Sequence, residues 1–253
     1  MKALTKIIVA TAAIGVLGVG GIAKAVPLSH YHRDTIQRVF QVGDRQITRS
    51  EETPDAMNDH ESEVNDDKVP ASLSQVGEYG EVAYDLAKIS NWTKATANLT
   101  SLQNAAKNLR QDIDNKQTLQ LDKSIATLSQ AVKTKNRQAA MRDANQVTLN
   151  AAKITEEFKG KVPVEITMLD YYGRELEIWA AQGNTTKLKA TAKDIQQTWK
   201  KVRPVIEAHK GSAQVRKFNY LVNSVVAAKL PADYGRLSTP ILNDVDNLEK
   251  VFQ

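Results

Sequence analysis

The chain is predicted to be all-α, built as two tandem antiparallel four-helix units of internally duplicated helical hairpins. Three observations predict this. Apolar residues recur at alternating steps of four and three over most of the chain after residue 72. Aromatic content is 6%, and glycine and proline number 12 and 7, too few turn-formers for an all-β protein of 253 residues. The same apolar stripe also returns after 93 residues.

That stripe is clearest in the segment beginning at Trp92, where Ala95, Leu99, Leu102, Ala106, Leu109 and Ile113 share one helix face. Asn91 stands where an N-cap residue belongs. The counterpart is Leu188, Ala192, Ile195, Trp199, Val202 and Ile206, with Asn184 as cap. Sliding Tyr79–Ile113 onto Tyr172–Ile206 without a gap gives 11 identities in 35 positions, among them Tyr79/Tyr172, Gly80/Gly173, Asn91/Asn184 and Arg110/Arg203.

A second pair of stripes repeats at an offset of 94. Ala144, Val147, Ala151, Ile154 and Phe158 map onto Ser238, Ile241, Val245, Leu248 and Phe252. Between them lie Leu121, Ile125, Leu128 and Val132 in the first half, and Val215, Phe218, Leu221, Val222 and Val225 in the second. Each half is thus expected to hold four helices, over 71–160 and 161–253. A strict heptad stripe suits antiparallel bundles; the alternative is a short α-solenoid of four helical hairpins. Asn136, Gly183-Asn184 and Lys210-Gly211 punctuate the pattern, and Pro231 opens the connection to the last helix. Pro204 is expected to kink or shorten the sixth helix.

Residues 1–25 read as a signal peptide. Lys2 and Lys6 precede an apolar run from Ile7 to Ile22, and Ala23-Lys24-Ala25 has the small-x-small form of a cleavage site. Export to a bacterial periplasm or the cell exterior is the expectation, with no stable membrane span after cleavage. The absence of cysteine excludes disulfides, thiolate metal sites and cysteine nucleophiles. Residues 26–70 read as a flexible acidic arm. Within it, positions 51–67 carry eight carboxylates and no lysine or arginine, whereas 70–253 carries 26 basic and 19 acidic residues.

Candidate chemistry is sparse. His30 and His32, one residue apart, could share copper or zinc if that segment is extended, which makes a metal-handling carrier the alternative function. The acids Glu165, Asp170, Glu175 and Glu177 of the fifth helix are expected to face outward or flank its seam, since Ile166, Leu169, Gly173, Leu176 and Ala180 form its apolar stripe. Tyr171, Tyr172, Arg174 and Trp179 are the residue types that dominate binding hot spots. The sixth helix adds a basic face that includes Lys200 and Arg203 and suits an anionic ligand. No aromatic residues are interleaved on that face, so nucleic acid is not expected. No Ser-His-acid trio or cofactor motif is present. The reading is a non-enzymatic, cofactor-free exported protein that binds a partner protein or a small anionic ligand.

Overall fold

The computed structural model describes residues 69–158 and 160–253. Eight helices follow one another: α1 (Ala71–Lys88), α2 (Trp92–Asp112), α3 (Asn115–Lys133), α4 (Arg137–Thr155), α5 (Val164–Ala181), α6 (Thr185–Ala208), α7 (Ser212–Ala227) and α8 (Pro231–Glu249), with a 3₁₀ turn at Lys250–Phe252. No strand occurs among the described residues. The leader, the acidic segment, His30 and His32 all lie outside the described residues.

The helices close into two rings of four. In the first, α1 packs on α2 and α4, and α3 bridges α2 and α4; in the second, α5 packs on α6 and α8, and α7 bridges α6 and α8. A solenoid would stack hairpin on hairpin, bringing α1 against α3; the closed rings α1–α4 and α5–α8 are instead bundle packing. Contacts between α4 and α5 link the rings.

The heptad stripes are the core. All six residues of the α2 stripe and all six of the α6 stripe are buried, as are Leu121, Leu128, Val147, Val215, Phe218, Ile241 and Val245. Phe158, Leu221 and Phe252 sit at the core margin. Trp199 anchors the second ring. It is 3% exposed, its ring lies 4.6 Å from that of Phe218, and its indole N–H donates to Asn219 at 2.8 Å.

The turn from α1 to α2 and that from α5 to α6 have the same bonding. Asn91 N–H donates to Leu86 O, Ser90 N–H to Ala87 O, and Lys94 N–H to the Asn91 side chain. Asn184, Gly183 and Lys187 repeat these bonds to Trp179 O, Ala180 O and the Asn184 side chain. Both are Schellman turns with a left-handed residue, Ser90 at φ 57° and Gly183 at φ 65°, followed by an Asn that caps the next helix. Gly80 and Gly173 also correspond. A Cβ on Gly80 would stand 3.1 Å from Val147, and one on Gly173 would stand 3.1 Å from Ile241 and 2.8 Å from Leu242. Each glycine lets its helix approach its ring partner closely.

Two local expectations are refined. Helix α6 runs through Pro204 to Ala208, so the lost backbone donor does not end it early. Pro231 is the first residue of α8 rather than a break before it, because proline's fixed φ and missing N–H suit that position. Asn98 is 1% exposed within α2 and donates to Tyr79 O at 2.8 Å, tying α2 to α1.

Candidate functional site: a sealed charge junction and an exposed basic hairpin

The segment richest in interaction-type residues turns inward. Arg174 is 2% exposed and lies between α5 and α1. It pairs with Asp170 one turn earlier and with Glu81 of α1 at 3.4 Å, and its guanidinium lies 5.5 Å from the centre of the Tyr84 ring. The Tyr84 hydroxyl donates to Glu177 at 2.9 Å, and Glu177 also accepts from Lys88 at 2.8 Å. The pairing of Glu81 with Arg174, and of Tyr84 and Lys88 with Glu177, sets α1 and α5 side by side and parallel.

This corrects the expectation for the α5 acids. Asp170 is 7% exposed, and the reason is electrostatic: a buried guanidinium needs a carboxylate next to it, and position i−4 provides one on the same helix face. Glu175 and Glu177 are half-buried and each accepts hydrogen bonds, Glu175 from the Trp179 indole at 2.7 Å. Apolar periodicity could not reveal this, because Arg174 lies beside the seam rather than in it. The useful signal was its spacing from Asp170.

Acidic groups crowd the junction. Burial, aided by Glu81, raises the Glu78 carboxyl above its ordinary range. Burial, with Glu81 and Asp246 nearby, pushes Glu249 at the end of α8 up to about 8. Burial and the neighbouring Glu177 raise the Tyr84 phenol well above its ordinary value, so it stays a donor. No group of His, Cys, Asp and Glu among the described residues has metal-binding geometry. The junction is arranged to hold charge inside the protein.

The remaining sequence-predicted residues divide. Tyr171 is 7% exposed and raised in pKa chiefly by burial; its backbone carbonyl accepts from Asn145 and its hydroxyl from Gln146, so it fastens α5 to α4. Tyr172 is half-buried, with its ring 5.2 Å from that of Tyr171. Trp179 is half-buried beneath Lys187, whose ammonium lies 5.6 Å from the ring centre. Lys200 and Arg203 are exposed on α6.

They belong to a larger surface. Residues 185–232, covering α6 and α7, contain ten basic residues (Lys187, Lys189, Lys193, Lys200, Lys201, Arg203, Lys210, Arg216, Lys217 and Lys229), all exposed, and only two acids, Asp194 and Glu207. The ion pair found among them joins Arg203 to Glu207 at 3.9 Å. The basic character of α7, which has no acid at all, was legible in the sequence but was not drawn into the site.

A groove of about 470 Å³ lies between α2 and α3, lined by Trp92, Thr96, Leu99, Val132, Lys133 and Lys135 among others. No helix among the described residues is long and apolar enough to cross a membrane. No protein family, curated protein or solved structure matches the chain.

Proposed function

We propose that this is a non-enzymatic, exported helical-bundle protein that binds an anionic partner through the outer face of α6 and α7. The observation that carries the reading is the charge of that hairpin: ten exposed cations against two acids within 48 residues. Opposing acids would be expected nearby if these lysines served only solubility. Within 70–253, most acids outside the hairpin lie instead on α1, α5 and α8, and the hairpin is left strongly basic. Such a surface raises the local concentration of an anion and speeds its capture. Internal duplication belongs to this reading: two related four-helix units provide a common scaffold, and the outer hairpin of the second has specialised.

Heparin, as a soluble polyanion, tests it. The purified chain is expected to bind heparin with an affinity that falls steeply as salt rises, because exposed charges are screened beyond about 8 Å at physiological ionic strength. Replacing Lys200 and Arg203 together by Gln should weaken binding at least several-fold with unchanged helicity. Salt-independent binding, or equal affinity of the variant, would remove this site.

A further inference from the structure

The basic hairpin also has a candidate occupant within its own chain. We propose that the acidic segment 51–67 docks on the basic end of the α6–α7 hairpin, around Lys200, Lys201, Arg203, Lys210, Arg216 and Lys217.

Direction, charge and reach support it. The segment joins the body at the start of α1, where Val69 and Pro70 precede Ala71. Because α1 and α5 run parallel and α6 returns against α5, the end of α6 and the start of α7 lie at this same end of the molecule. The return is fixed by contacts: Thr191 of α6 reaches Glu175 at 3.4 Å, and Lys187 covers Trp179. The segment therefore enters beside the most basic stretch of the chain.

The first ring offers no equivalent surface at that end. Its turn between α2 and α3 presents Asp112 and Asp114, and Asp112 accepts from Ser72 of α1 at 3.0 Å, beside the point of entry. Arg110 is already engaged by both oxygens of Asp122. From 107 to 124, four basic residues face three acids; from 200 to 217, six face one. Eight carboxylates entering there meet a nearly balanced surface on the first ring, with Asp112 beside the point of entry, and a strongly opposite charge on the second. Seventeen residues reach at most about 55 Å when extended, and two helix-to-helix steps of about 8–10 Å separate α1 from α6, so length does not prevent the contact.

The docking needs no external ligand, although it shares its surface with the anionic partner proposed above. The chain has no cysteine, so Ala56→Cys provides a single site for a nitroxide label. In about 0.02 M salt the label is expected to broaden the amide signals of residues 200–217 and to spare those of 107–124. Broadening should vanish in about 0.5 M salt, and also when the eight acids of the segment are replaced by Asn and Gln. Unbroadened 200–217 signals at low salt, or broadening that survives neutralisation of the acids, would overturn the proposal. Heparin separates the two readings when it is added to the chain whose eight acids are Asn and Gln, because no segment then competes for the hairpin. If the parent shows broadening but heparin does not bind this variant, the external partner falls and the internal contact stands. Heparin binding without any broadening gives the reverse.

Discussion

The two rings share a skeleton and differ in charge. Positions 93 apart carry the same turn bonds, a residue in the left-handed conformation and a close-approach glycine, so the first hairpin of each ring is built alike at these points. Two other pairs of positions with the same spacing meet each other across the junction: Glu81 faces Arg174, and Tyr84 faces Glu177. Were position 174 acidic as position 81 is, two carboxylates would oppose each other at a partly buried contact. Arginine at 174 makes the contact an ion pair instead. The rings thus differ where they touch and where the second faces solvent, while their interior patterns are alike.

The largest expected effects come from the buried anchors. Trp199→Ala removes the main aromatic of the second core and should cost about 3–5 kcal/mol in urea unfolding. Leu102→Ala, at the corresponding depth in the first ring, should cost about 2–5 kcal/mol. A loss below about 1 kcal/mol at either site would mean that its stripe does not face the core.

Arg174→Met should cost about 3–5 kcal/mol, because Asp170 is left buried without its partner. Adding Asp170→Asn should recover much of that loss, since the second change removes the stranded charge. Simple additivity of the two losses would contradict the pairing. This contact was only partly legible beforehand. The heptads of α2 and α6 predicted the core residue by residue, because apolar burial writes itself into periodic spacing. A buried guanidinium leaves no such period: residue type alone marks Arg174 as a binding residue and Asp170 as an acid facing outward or flanking the seam, and only the position of α1 makes them a buried pair.

The crowded carboxylates give a pH dependence of definite sign. With Glu249 raised to about 8, the folded state keeps a proton that the unfolded state has lost by about pH 5. Stability from this group is therefore greatest at low pH and falls as pH rises towards 8 and above. Thermal melts between pH 5.5 and 8.5 should show this decline, and Glu249→Gln should flatten it. A variant with an unaltered slope would place the source elsewhere.

The smallest effects compare the twin turns. Gly183→Ser puts a side chain on a left-handed residue and should cost about 1 kcal/mol, whereas Ser90→Gly relieves the same strain and should be neutral or slightly stabilising. Opposite signs are expected at two positions with the same bonding. Equal signs would show that the turns differ in a way their hydrogen bonds do not reveal.

The functional reading was less legible than the fold. Lys200 and Arg203 stand out on α6 in the sequence, whereas the apolar stripe dominates α7, and only the packing of the two helices joins Arg216 and Lys217 to the same basic surface. Tyr171 and Arg174 were attractive by residue type, and packing directs both inward.

The direct test is a paired charge removal. Lys200, Arg203, Arg216 and Lys217 are changed to Gln in one variant, and Lys107, Lys116, Lys123 and Lys133 of α2 and α3 in another, with heparin affinity measured for each at equal ionic strength. The account predicts at least a tenfold loss in the first and little change in the second. Equal losses in the two variants would mean that heparin senses only net charge and that the α6–α7 hairpin is not a distinct binding face.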